Sequence, residues 1–197
     1  MSHKKINPYI LLSVLIFSWL NLSAAPIILP SAPGIDSVEI DEQKAISIAD
    51  TSYNSHDVTF LQMMIVHHDQ AIVMTRLAPT RTNSKNILDL AGRIDTSQDD
   101  EMQFMKGWLQ DRNESLYHTH DHSMMKMAGM ASPEEINELR NSKGVEFDKL
   151  FLKLMIHHHD GAIEMADELR DQPGSAYDPI LNEFVADLIN DQAVEIE

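Results

Sequence analysis

The chain has 197 residues and no cysteine, and its 15 Lys and Arg against 31 Asp and Glu leave a formal charge of −16 at neutral pH. That charge excludes a general nucleic-acid binder, which needs cations facing phosphates. The missing thiol excludes disulfides, iron–sulfur clusters, cysteine nucleophiles and thiolate zinc sites, so soft-metal chemistry must come from the twelve Met and ten His.

The N-terminus carries Lys4 and Lys5, an apolar run from Ile10 to Leu20, and the small residues Ser23-Ala24-Ala25. This pattern predicts an export signal over residues 1–25 and an exported, periplasmic location. Pro26 is an awkward residue to follow a cleavage site, so a retained membrane anchor is the alternative, and the membrane is met only through this segment. Residues 26–55, with Pro26, Pro30 and Pro33 and no sustained periodicity, read as a tether with a weak helical patch near 39–50.

From residue 56 onward the punctuation is helical. Ser55 to Asp57 offers an N-cap, apolar residues recur from Phe60 to Ala78, and Pro79 ends the run. A second helix follows Ser84 and reaches about Arg112. Ser132-Pro133-Glu134-Glu135 is a capping box with proline at the first helical position, opening a short helix that Gly144 closes. A third long helix covers Val145 to about Arg170, before Pro173-Gly174, and Asp178-Pro179 starts a fourth. Four long helices joined by short connections and one crossover of about 20 residues predict an all-α chain whose residues 56–197 form a four-helix bundle.

An internal repeat organises that bundle. Residues 60–75 (FLQMMIVHHDQAIVMT) align without gaps on 151–166 (FLKLMIHHHDGAIEMA), with ten of sixteen positions identical. The following helices match more weakly, placing Ile94, Gln98 and Glu101 over Leu188, Gln192 and Glu195 with a three-residue shift. The second copy shows no counterpart of Gly107-Trp108-Leu109, so a shorter last helix is expected.

Ligand-type residues fall on equivalent seams. Phe60, Met64, His67, Ala71, Met74 and Ala78 share one helical face, as do Phe151, Met155, His158, Ala162, Met165 and Leu169. Met64 stands one turn from His67 and His68, and Met155 one turn from His158 and His159. Thioether sulfur and imidazole nitrogen favour Cu(I) and Ag(I) over zinc. Asp69 and Asp160 are expected to orient the imidazoles. The crossover adds His118, His120, His122, Met124, Met125, Met127 and Met130, a density that packing alone does not explain. Met74, Met102 and Met105 can extend that methionine-rich surface. Methionines at helical spacing also fill cores, and a lone seam histidine is often structural.

The His-His-x-x-Ala-Ile-x-Met cores at 67–74 and 158–165, the Gln-x-x-Glu on each following helix, and the His/Met loop ending in Gly129-Met130 resemble domain-of-unknown-function family 305, the family of the CopM-like periplasmic copper-binding proteins. The resemblance runs from about Ser55 to the C-terminus. It implies a ferritin-like four-helix bundle that takes copper ions as Cu(I), or Ag(I), and protects against copper, with a copper-transport or efflux protein as partner. No catalytic residue is expected. A di-iron or other carboxylate-metal oxidase on the same bundle is the competing reading, but it needs Glu-x-x-His on two helices and the chain has none. An interaction module with structural histidines is the third. No nucleophile elbow, His-Glu-x-x-His or phosphate loop points to a hydrolase.

Overall fold

The computed structural model describes residues 26–29, 36–41, 44–45, 52–117 and 127–197. Residues 1–25, which carry the predicted export signal, lie outside them, and so do His118, His120, His122, Met124 and Met125. The chain divides into two units, residues 1–49 and 50–197.

In the first unit a short strand, β1 (Ile27–Leu29), pairs antiparallel with β2 (Val38–Ile40), in a register that sets Ile27 opposite Ile40. Sequence reading missed both strands. Each has three residues, and Pro26 and Pro30 directly flank β1, since proline cannot donate to a ladder and is tolerated only at strand borders. Glu39, expected in a helical patch, lies in β2. A single turn follows, in which Asp41 accepts the backbone N–H of Lys44 on its carboxylate at 2.7 Å and that of Ala45 on its carbonyl at 2.9 Å.

The second unit is all-α. Helix α1 (Ser55–Thr75) is capped by Asn54, one residue before the expected cap. The Asn54 side chain accepts from the N–H of His56 and Asp57, and the Asp57 carboxylate accepts from the N–H of Asn54 at 2.9 Å. Two orphan donors of the first turn are thereby satisfied reciprocally. The helix ends at Thr75 rather than Ala78, because Pro79 has no N–H to continue the ladder, and Ala78–Thr80 tighten into a 3₁₀ turn. Helix α2 spans Lys85–Asp111. Helix α3 (Pro133–Asn141) opens on the predicted capping box between Ser132 and Glu135. Helix α4 (Val145–Asp171) follows Gly144, whose φ of +58° suits glycine. Helix α5 (Pro179–Ile196) is capped by Asp178, which accepts from Ile180 and Leu181 on one oxygen and from Arg112 at 2.5 Å on the other. Arg112 also lies 3.9 Å over the Trp108 ring, so the end of α2 and the start of α5 are fastened together. Among the described residues no helix is long and apolar enough to cross a membrane.

Helix α1 packs on α2, α4 packs on α5, and the two pairs meet through α1 and α4. All twelve residues of the predicted seams are buried. They do not make one continuous core. One apolar cluster gathers Phe60 to Ile65 with Met102 to Leu109, Met165 to Leu169, and Leu181 to Leu188. The other gathers Met74 and Ala78 with Ile87 to Ile94 and Phe147 to Met155. On α1, α2 and α4 the buried side chains between the two clusters are polar, and on α5 buried Gln192 follows the first cluster. Helix α5 has 18 residues against 27 in α2, and Ala131 and Leu139 from the crossover and α3 complete the second cluster where α5 supplies nothing.

Candidate metal centre

The polar layer holds His67 and His68 from α1, Gln98 and Glu101 from α2, His158 and His159 from α4, and Gln192 and Glu195 from α5. The four histidines and two glutamines are at most 1% exposed. The sequence places them there because each sits on its helix's apolar face at core spacing, so burial of the flanking residues carries them inward.

The four imidazoles are organised in two ways. His67 Nε2–H donates to the Ala128 carbonyl at 2.9 Å, and His158 Nε2–H donates to the His67 carbonyl at 2.8 Å. A carbonyl only accepts, so both rings carry their proton on Nε2 and a lone pair on Nδ1. Their centroids are 3.8 Å apart, which joins the two helix pairs at one point. The outer rings face carboxylates: His68 Nε2 bonds Glu101, and His159 Nε2 meets Glu195 at 2.6 Å. In all four rings Nδ1 is buried with no hydrogen-bond partner, and both amide atoms of Gln98 and Gln192 are likewise unpartnered.

Electrostatics follow from burial. Desolvation, then the neighbouring His68, holds the His67 pKa down at about 3, and desolvation with His159 beside it does the same to His68. His158 is depressed well below its ordinary value, first by burial and then by His67. Burial, with Asp191 and Glu195 nearby, raises Glu101 to about 8. At neutral pH these are uncharged imidazoles, and Glu101 is a neutral acid. Neutral imidazole is the form that binds metal. Ligating histidines ordinarily donate their second ring nitrogen to a carbonyl or carboxylate, which fixes tautomer and orientation. His67 and His158 have Nε2 donating to carbonyls and an unpartnered Nδ1 lone pair, a donor pair that fits a soft or borderline cation, and His68 and His159 beside them have Nε2 held by Glu101 and Glu195 with Nδ1 unpartnered. No three His, Asp or Glu side chains among the described residues are already gathered around one point.

The partners predicted for the imidazoles need correcting. Asp69 and Asp160 are exposed, because one residue along a helix turns the side chain about 100° off the histidine's direction. Glu101 and Glu195, from the packed neighbouring helices, take that place. The structure brings His67, His68, His158 and His159 together and separates the thioethers. Met64 and Met165 lie in one apolar cluster and Met74 and Met155 in the other. Met127 packs against the first cluster, and Met130 is half-buried.

The crossover is anchored at both ends to α1. Gln62 donates to the Ser115 carbonyl at 2.7 Å, and Gln70 both donates to the Ala131 carbonyl at 2.9 Å and accepts its N–H at 2.7 Å. On the α4 side, Gly161 stands where Gln70 stands in the repeat. A Cβ at Gly161 would lie 2.2 Å from the Ala128 carbonyl oxygen and 2.5 Å from the Gly129 nitrogen. Only glycine lets the backbone of Ala128 and Gly129 approach closely enough to meet His67.

Solved structures share this fold. A DUF305 protein from Streptomyces coelicolor, named as a candidate secreted protein, is 28% identical with a TM-score of 0.65 over 72% of this chain and 88% of its own. A DUF305 fragment from Deinococcus radiodurans is 27% identical at TM-score 0.65, over 73% of this chain and 92% of that one. CopM in its Cu(I)-bound form is 26% identical at TM-score 0.55, over 71% and 89%, and CopM structures with Cu(II) and with Ag are similar to this chain as well. No curated protein matches the chain. The model of the domain of unknown function DUF305 matches residues 57–197, and the chain belongs to that family.

Proposed function

We propose that this protein is an exported copper-handling protein that holds Cu(I), and Ag(I), through imidazole and thioether groups and performs no turnover. The observation that carries the reading is the set of four buried imidazoles with Nε2 engaged and Nδ1 unpartnered. It occurs in a fold similar to a protein solved with copper and with silver. The architecture we infer is a ferritin-like four-helix bundle of two duplicated hairpins. Its central layer supplies His67, His68, His158 and His159, and the methionines of the seams and crossover supply soft sulfur. His118, His120, His122, Met124, Met125, Met127 and Met130 form the capture segment, and copper sequestration or delivery to a transport or efflux partner is the role. Export is supported by the N-terminal pattern and by the name of the Streptomyces relative.

The deciding experiment is anaerobic titration of the protein with Cu(I) against a chromophoric chelator, with Zn(II) and Fe(II) as controls and copper-edge absorption on the product. Saturable Cu(I) uptake with mixed sulfur and nitrogen ligands is the expected result. Uptake of Fe(II) or Zn(II) in its place would reassign the His–Glu pairs to a carboxylate-metal site, and binding of none of these ions would leave the imidazoles structural.

A further inference from the structure

One pocket departs from the correspondence between the two helix pairs. It lies between the first half of α1 and the last half of α4, has a volume of about 220 Å³, and is lined by His56, Thr59 and Met63 on one side and Met165, Glu168 and Gln172 on the other. Each trio follows i, i+3, i+7 spacing and so shares a face. Met165 is 7% exposed and Met63 half-buried, whereas His56 and Glu168 are exposed. The thioethers therefore form the floor, and the imidazole and carboxylate form the rim. The walls are fixed to each other: buried Asp57 accepts the Ala176 N–H at 2.7 Å, and Asn54 Nδ2 donates to Ser175 Oγ at 3.2 Å.

The sequence repeat shows what the fold places there when only packing is required. Extended without gaps, it sets His56 over Phe147, Thr59 over Leu150, Met63 over Leu154, Met165 over Met74 and Glu168 over Leu77. In that counterpart Phe147 and Met74 are fully buried, Leu154 nearly so, and all three belong to one apolar cluster. The same space can thus be closed with hydrocarbon. At the His56 end it is left open and rimmed by a nitrogen ligand and a carboxylate above two sulfurs.

We propose that His56, Met63 and Met165 form a solvent-open binding site for a soft monovalent cation, Cu(I) or Ag(I), with Glu168 at its rim. Two thioethers and one imidazole make the low-coordinate soft set that these ions favour over Zn(II). The carboxylate draws the cation in without needing to bind it. His56 and Met63 stand about 10 Å apart along α1, and both line the same pocket, with Met165 across from them. The site rests on the metal-binding reading above and shares no histidine with the central layer, Met165 being its one seam methionine.

The test is titration of Ag(I) into the whole protein, followed calorimetrically and by the methionine methyl NMR signals. The Met63 and Met165 methyls are expected to shift together at the same Ag(I) ratio. Met63→Leu combined with His56→Phe, the residues of the other hairpin, should lower the stoichiometry by one Ag(I) per chain with unchanged helical content. Silent Met63 and Met165 signals and unchanged stoichiometry, while other methionines respond, would overturn this site and leave copper binding standing. No response from any methionine and no heat would overturn both. Should the double variant fail to fold, the methyl shifts of the unaltered protein decide the matter.

Discussion

The two helix pairs repeat one motif and treat it differently at centre and end. At the centre they match side chain for side chain: His68 meets Glu101 and His159 meets Glu195, with a buried glutamine beside each pair. At the ends they diverge, since Phe147 stacks on Phe151 at 5.7 Å within a closed core, whereas the aligned His56 rims an open pocket. Buried polar groups are costly unless the structure uses them. Their double occurrence at the centre marks the part of the motif both copies need, and divergence at the ends marks where one copy has taken a separate task.

The shared centre has the largest predicted effect. His67 and His68, neutral in the folded protein down to about pH 3, take up protons near 6.5 once unfolded, and His158 shifts in the same direction. Their contribution to stability is complete above pH 6.5 and is lost as pH falls below it, at about 1.4 kcal/mol per group per pH unit. Glu101 acts oppositely. The fold keeps its proton up to about pH 8, so its contribution is complete below 4.5 and is lost as pH rises toward 8. Denaturant unfolding of the metal-free protein should therefore show maximal stability near pH 6.5, with the steeper fall on the acid side. A curve that is flat between pH 7 and pH 5 would show that the imidazoles are not buried neutral.

Exchanging the end residues sharpens the contrast. Phe147→His buries an unpartnered imidazole in an apolar cluster and should cost roughly 3 kcal/mol in chemical denaturation. Gly161→Ala drives a methyl into the Ala128–Gly129 backbone and should cost about 1–3 kcal/mol, with loss of the His67–Ala128 hydrogen bond visible in the imidazole nitrogen shifts. His56→Phe, at an exposed rim, should change stability by no more than about 0.5 kcal/mol. Equal penalties for Phe147→His and His56→Phe would erase the distinction between the two ends.

Local rules made most of the helices legible. Pro133, Pro179, the Ser132–Glu135 box and the seam spacing are signals contained within a few residues, and the elements follow them closely. Partners were harder to read. Asp69 and Asp160 adjoin the histidines in sequence but point to solvent, whereas Glu101 and Glu195 reach them from other helices, a relation that only packing establishes. The strands Ile27–Leu29 and Val38–Ile40 are too short to show a period. His56 carried one legible signal, its alignment with Phe147 beyond the edge of the strongly matching block.

The two glutamines that hold the ends of the crossover have an entropic consequence. Gln62 and Gln70 lie eight residues apart on α1, about 12 Å along its axis, and they hold Ser115 and Ala131 at matching points. Ser115 and Ala131 are thus fixed on one helix face, and the entropy of holding these two backbone points near each other is already spent in the metal-free protein. Side chains on the described residues beside these anchors are kept next to α1 at an effective concentration set by the anchors rather than by free diffusion.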